Sequence, residues 1–379
     1  MIQKKNLILI GGAGRNVGKT LFACRIIERE ARLRGVIGLK ITVIDPDDAP
    51  HSGRVEIESY RIIDGPFRII EESVPSDETD TGRMLEAGAR RVFWLKVKRD
   101  RLTEGIEALL ELIPGAACVV AEGTSARTAL EPGVFIVIQT KKESAMKASC
   151  AAVLPLADRI ALRDGREWDL SPGDCLFIGN EWMLRPRAGA LILAGGDSRR
   201  MGRDKALLPV GGRPMIASIA DQLKTLFEEI VISADRPGDY GFLGLPVVPD
   251  LEPGQGPLRG IASSLPRMTH DLNFVTACDI PRIDLSFVIR LIKMSAGFDL
   301  ILPYLDEGHY EPLFAVYRKS VAPEATRILE GGGRSILALL DRVKVNLVTI
   351  PDRRWFKNIN TETDYAELIA DGFGNDPKK

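Results

Sequence analysis

Twice along this chain an apolar, strand-length run ends in a glycine-rich turn followed by a basic residue. Asn6 to Ile10 leads into Gly11-Gly12-Ala13-Gly14-Arg15-Asn16-Val17-Gly18-Lys19-Thr20, and residues 190 to 194 lead into Gly195-Gly196-Asp197-Ser198-Arg199-Arg200-Met201-Gly202-Arg203-Asp204-Lys205. Glycines at a strand end let the backbone approach a ligand closely and leave N–H groups facing an anion. Lysine supplies a compact ammonium and arginine a planar fork, both suited to a polyphosphate. A chain built this way folds as two α/β units, each placing phosphate groups beyond the carboxyl end of a buried strand.

The remaining pattern agrees with two units. At 379 residues the chain is long for one core. Strands alternate with helix-length segments in both halves, which predicts mostly parallel sheets with helices on both faces. Leu184-Arg185-Pro186-Arg187-Ala188-Gly189 reads as the linker, giving domains 1–187 and 188–379. In the first half, Leu21, Cys24, Ile27 and Ala31 predict the apolar stripe of a helix after the glycine turn, and short strands are expected around Arg159 to Leu162 and Cys175 to Ile178. The tail after Gly372 is expected to fray.

A net charge of −1 gives no global attraction to nucleic acid or to an anionic membrane, so neither is an expected partner. The cysteines at 24, 118, 150, 175 and 278 lack paired metal spacing, and His51, His270 and His309 are scattered. The cysteines read as core residues and free thiols of a reducing, cytoplasmic compartment. No run is apolar enough to span a bilayer, and Met1 to Lys5 lead straight into a strand rather than a secretory segment.

The second glycine turn, with Leu193-Ala194-Gly195-Gly196, Ser198, Arg200-Met201-Gly202, Asp204-Lys205 and Leu207 to Pro214, resembles the signature of molybdenum cofactor guanylyltransferases. Asp204 directly before Lys205 is the form similar to guanylyltransferases rather than to sugar-activating relatives. The resemblance runs over roughly residues 190 to 370. Asp250 with Gly256-Pro257-Leu258-Arg259-Gly260-Ile261 resembles the family's base-facing loop, and Asp279, ending the apolar run Val275 to Ala277, resembles its Mg²⁺ ligand. Phe356 to Thr361 resembles its closing asparagine motif, with Asn360 as a further metal ligand. A proline often follows that threonine in the family, and Glu362 stands here instead.

The first glycine turn is close to a P-loop, in which backbone N–H groups at Gly14 and Gly18 wrap phosphates, Lys19 reaches the outer ones and Thr20 helps hold Mg²⁺. It departs from the strict pattern at Ala13, where a glycine is required. Cys118 to Glu122 reads as a buried strand ending in a carboxylate, the place of a metal or water-orienting acid. Together with Asp80-Thr81 and Glu86 to Ala89, these features make residues 6 to 150 resemble the P-loop partner protein of molybdopterin-guanine dinucleotide biosynthesis. That family tends to carry histidines after the position of Lys40, whereas Ile41 and Thr42 stand here.

These resemblances imply an N-terminal P-loop NTPase-like domain joined to a C-terminal Rossmann-like nucleotidyltransferase. The implied reaction transfers GMP from GTP to molybdopterin carrying molybdenum and releases pyrophosphate. Arg200 and Lys205 would steady the triphosphate, Asp279 would hold Mg²⁺, and Leu193 to Gly196 would line the nucleotide. Molybdenum-insertion proteins and acceptor molybdoenzymes are the implied protein partners. Two alternatives stay open: a sugar-phosphate or cytidylyl transferase of the same fold, and a nucleotide-switched adaptor that delivers cofactor.

Overall fold

A computed structural model describes residues 1–14, 16–44, 65–141, 146–165, 167–194, 204–250, 256–306, 308–351, 356 and 358–372. The chain divides into two compact units, Met1–Arg185 and Pro186–Lys379.

The first unit is built on eight strands: β1 (Ile2–Gly12), β2 (Val36–Ile44), β3 (Phe67–Glu72), β4 (Arg91–Lys98), β5 (Cys118–Glu122), β6 (Leu130–Thr140), β7 (Arg159–Asp164) and β8 (Glu167–Trp168). Their spatial order is β3-β4-β2-β5-β1-β6-β7-β8, parallel except for β3 and β8 at the two edges. From Asn6 onward β1 is buried on both sides. Leu7 and Leu9 join one apolar cluster with Phe93, Val119 and Phe135, while Ile8 and Ile10 join another with Phe22, Ile26 and Val120. Such double burial is what a central parallel strand requires.

Helix α1 (Lys19–Glu30) starts directly after the glycine turn, and α2 (Asp80–Glu86) and α3 (Leu102–Glu111) follow β3 and β4. The buried stripe of α1 differs from the expected one. Leu21 is exposed and Ala31 is only the C-terminal cap, while Phe22, Ala23, Ile26 and Ile27 are buried together with Cys24. The phase of the helix is set by the large Phe22 and Ile26, which fill the space above β1. A separate hairpin pairs β9 (Cys175–Ile178) with β10 (Glu181–Leu184). Gly179 and Asn180 turn it with φ of 59° and 62°, as a two-residue hairpin demands.

In the second unit, β11 (Gly189–Leu193) lies between β14 (Ile230–Ala234) and β16 (Leu272–Ala277), and the short hairpin of β12 (Pro209–Val210) with β13 (Arg213–Pro214) comes between β11 and β14 in the chain. The sheet order is β15-β14-β11-β16-β18-β17-β19, with β15 (Val247–Pro249), β17 (Leu300–Tyr304), β18 (Phe314–Arg318) and β19 (Val345–Thr349). Only β18 runs against its neighbours. The chain steps from β11 to β14 on one side and later to β16 on the other, so the switch point of the sheet lies at the carboxyl end of β11. Helices α4 (Met215–Lys224), α5 (Pro257–Ser264), α6 (Leu285–Lys293), α7 (Val321–Glu330) and α8 (Glu362–Ala370) complete the unit. All five cysteines are buried and unbridged. Among the described residues no helix is long and apolar enough to cross a membrane.

Candidate functional site

In the second unit, three residues far apart in sequence meet at the carboxyl ends of β11 and β16. Lys205 Nζ donates to Asn360 Oδ1 at 2.9 Å, and the Ile359 N–H donates to the Asp279 carbonyl at 2.8 Å. Cys278 N–H also reaches the Leu193 carbonyl at 3.2 Å, tying the end of β16 to the end of β11. Burial pushes the Asp279 carboxyl above the usual carboxylate range, and the nearby Lys205 ammonium opposes that rise. Gly195, Gly196 and Arg200, which the sequence places in the same turn, lie outside the described residues.

Local structure explains how these side chains are held. Asp204 caps the single turn Lys205–Leu207, its Oδ1 accepting from Ala206 N–H at 2.9 Å. Its other oxygen lies 2.8 Å from the Tyr240 hydroxyl, which is also 2.9 Å from the Ala194 carbonyl. Lys205 thus points to Asn360 rather than pairing with the adjacent Asp204. Asn360 is fixed in turn by the start of α8, where Thr361 and Asp364 form a reciprocal capping box and Asp364 Oδ2 accepts from the Asn360 N–H at 3.0 Å. Glu362 opens α8, where an acid faces the positive end of the helix dipole, so its replacement of the family's proline leaves the helix start intact.

The segment resembling a base-facing loop is described from Gly256 onward, with residues 251–255 outside the described set. Gly256 caps α5 at φ 77°. Gly260 has a packing role: a Cβ there would stand 2.8 Å from Ser233 Oγ and 3.0 Å from Leu193 Cδ2, so α5 sits on β11 and β14 only without a side chain. The same Ser233 hydroxyl donates to Asp250 Oδ1 at 2.7 Å. Burial raises the Asp250 carboxyl, Asp235 adds to the rise and the Ser233 bond opposes it.

In the first unit the glycine turn, α1 and β5 converge. Gly18 precedes α1 at φ 98°, a left-handed conformation that favours glycine. Lys19 Nζ donates back to the Gly14 carbonyl at 3.1 Å. Ala13 continues β1, with its N–H on the Ile138 carbonyl at 2.9 Å and its methyl buried in the core. Thr20 Oγ1 lies 2.7 Å from Glu122 Oε2 and 3.0 Å from Asp80 Oδ1, and Asp80 is ion-paired with Lys40. Burial raises the Glu122 carboxyl and Asp80 raises it further, against Thr20, Lys19 and Lys40. At Asp80 burial also pushes upward, but the Lys40 charge and hydrogen bonds from Lys40 and Thr20 outweigh it and hold the carboxyl below its usual range. The Thr20 hydroxyl thus stands between two carboxyls that their surroundings push in opposite directions, Glu122 upward and Asp80 downward.

Sequence reasoning gave no role to Lys40, Asp80, Tyr240 or Glu311. The register Lys40↔Glu122 across β2 and β5 is what brings Lys40 to this cluster, and only strand pairing reveals it. Glu311 enters through antiparallel β18. Thr276 pairs with Phe314 and Ala277 N–H donates to the Leu313 carbonyl at 3.1 Å, so the residues before β18 run alongside those after β16. Glu311 there is pushed up to about 7 by burial and by the Asp279 charge, with His309 opposing.

Comparison with known proteins places the second unit. The MobA-like NTP transferase domain family matches residues 190–345. A probable molybdenum cofactor guanylyltransferase of Carboxydothermus hydrogenoformans is 35% identical over 186 residues, 47% of this chain and 93% of the relative. One from Pelotomaculum thermopropionicum is 38% identical over 188 residues, 48% of this chain and 91% of the relative. The crystal structure of molybdopterin-guanine dinucleotide biosynthesis protein A from Archaeoglobus fulgidus is 28% identical, covers 49% of this chain and all of its own length, and has a TM-score of 0.43. Through its C-terminal half, the chain is a nucleotidyltransferase that belongs to the molybdenum cofactor guanylyltransferase family.

Proposed function

We propose that the second unit transfers GMP from GTP to the terminal phosphate of molybdopterin already carrying its metal, forming the guanine dinucleotide and pyrophosphate. The observation that carries this reading is the convergence of Lys205, Asp279 and Asn360 at the switch point of the sheet. Two anions must meet at the α-phosphorus, so alignment and charge neutralisation dominate and no protein nucleophile is needed. Lys205, held by the Asp204 turn, withdraws charge from the triphosphate as pyrophosphate leaves, and Arg200, five residues earlier in the glycine-rich segment, assists it. The acceptor's phosphate oxygen is the nucleophile.

Mg²⁺ fits the donor set. Asp279 and Asn360 offer hard oxygen atoms, and the Asp279 carboxyl sits where burial disfavours its charge unless a cation is near. Among the described residues no three acidic, histidine or cysteine side chains converge, so the ion would complete its shell from phosphate oxygens and water, as Mg²⁺ commonly does. When bound it would neutralise charge on the α-phosphate and on the incoming oxygen.

For the first unit we propose a nucleotide-binding role that assists transfer. Its support is the left-handed Gly18 ahead of α1, with Lys19, Thr20 and Glu122 arranged around the helix start. Incubating the chain with metal-loaded molybdopterin and each of the four triphosphates, while following pyrophosphate, tests the reading. Release with GTP alone is expected. Preference for CTP, or transfer to a sugar phosphate instead, would point to the other chemistry of this fold.

A further inference from the structure

One edge of the first unit carries a cation that nothing above employs. β7 and β8 form a hairpin in which Arg163 pairs with Trp168, and the guanidinium lies 5.9 Å from the centre of the Trp168 ring. Trp168 stands edge-on to Phe22, with ring centres 5.1 Å apart and an angle of 81°, which fixes the hairpin against the first turn of α1. The guanidinium abuts the glycine turn: a Cβ on Gly18 would meet Arg163 Nη1 at 2.8 Å and its Cδ at 3.1 Å.

One donor on each of these two side chains is unspent. Arg163 Nε and Trp168 Nε1 are buried, and neither has a hydrogen-bond acceptor among the described residues. Buried donors are nearly always satisfied, so two donors without an acceptor among the described residues, beside the glycine turn, are suited to an acceptor brought by a ligand of that turn. Neighbouring acids do not provide it. Asp164 is paired with Lys141 at 2.8 Å, and Asp169 Oδ1 accepts from the Leu162 N–H at 2.7 Å.

We propose that Arg163, braced by Trp168, is a phosphate-contacting residue of the nucleotide site in the first unit, donating guanidinium N–H groups to the polyphosphate of the nucleotide held at Gly18, Lys19 and Thr20. The inference rests on the proposal that this turn binds a nucleotide. A guanidinium presents its donors as a rigid fork that matches phosphate oxygens, and at the Gly18 side of the turn it adds a positive charge to that of Lys19. It also gives Gly18 a second reason to lack a side chain, since a methyl would occupy the place of the guanidinium.

The test is calorimetric titration of GTP, GDP and GMP into the full chain carrying Lys205→Ala, which weakens the site of the second unit. In that background Arg163→Ala is expected to weaken GTP binding by roughly tenfold or more, the worth of a lost charge-assisted contact. Arg163→Lys should recover only part, and the loss should shrink from GTP to GMP. Trp168→Phe, which keeps the ring packing on Phe22 but removes the indole donor, should give a smaller loss in the same order. Lys19→Ala separates the two claims. If it leaves binding unchanged, the nucleotide site itself is wrong. If it abolishes binding while Arg163→Ala stays within about twofold of its parent, the role of Arg163 is wrong. A loss that distinguishes GTP from ATP but is equal for GTP and GMP would also overturn it, because the contact would then be to the base.

Discussion

Raising the pH from 5 to 8 in the absence of divalent metal should destabilise the second unit through one side chain, Glu311. Its carboxyl is pushed from 4.5 up to about 7 by burial first and then by the charge of Asp279. The folded state therefore holds this proton more tightly than the unfolded chain does. The stability it contributes is fully present below about 4.5 and is lost as the pH climbs through about 7. At about 1.4 kcal/mol per unit the whole shift is worth about 3 kcal/mol, and partial contact with water reduces that to about 2 kcal/mol. Carboxyl-carbon NMR of the full chain labelled at glutamate, with Glu311→Gln to assign the resonance, reads the midpoint directly. Denaturant unfolding at the two pH values reads its energy. A midpoint below about 5, or the same loss of stability in Glu311→Gln, would refute the placement of this carboxyl beside Asp279. Added Mg²⁺ should lower the midpoint, because a cation favours the charged form.

Lys205→Ala should cost about 2 to 4 kcal/mol in transition-state stabilisation, measured as kcat/KM for guanylyl transfer. A change under about tenfold would mean that Lys205 only anchors Asn360. Asp279→Ala should lose most turnover while GTP binding weakens modestly, and near-normal turnover at saturating Mg²⁺ would remove Asp279 from the metal site. Thr361→Ala removes the cap that orders Asn360 and should cost about 1 kcal/mol of stability; denaturation curves matching the parent would contradict it. Gly260→Val should destabilise the chain by about 1 to 3 kcal/mol, since its side chain must enter the space held by Ser233 and Leu193. Residues 188–379 expressed alone should transfer GMP to free metal-loaded molybdopterin, and a folded fragment that stays inactive until the first unit is returned would show that transfer needs both.

What could be read from the sequence is what the chain encodes locally. The run of Cys118 to Glu122 is apolar up to one carboxylate, and the structure makes it a fully buried strand with Glu122 at its carboxyl end. The pair Asp204-Lys205 is legible in the sequence only as part of the family resemblance, while the cap that Asp204 forms and the turn of Lys205 toward Asn360 show only in the structure. The helix α1 shows where local reading falls short. A 3.6-residue stripe can be drawn through Leu21 or through Phe22, and only the volume above Ile8 and Ile10 decides in favour of the aromatic ring.

Residues that depend on register were out of reach for a different reason. Lys40 is one position in a strand, and its meeting with Asp80 and Glu122 requires β5 to lie between β2 and β1, an order that chain sequence does not reveal. Glu311 depends on the single strand, β18, that runs against its neighbours. Had β18 been parallel, its amino end would have lain at the opposite end of the strands from Asp279, and the carboxyl would have lost the push of that charge. Arg163 depends on the edge hairpin that turns it toward Gly18. Each of these side chains owes its chemistry to which strand lies beside it, so the motif residues identify the family while the pairing of strands determines what surrounds them.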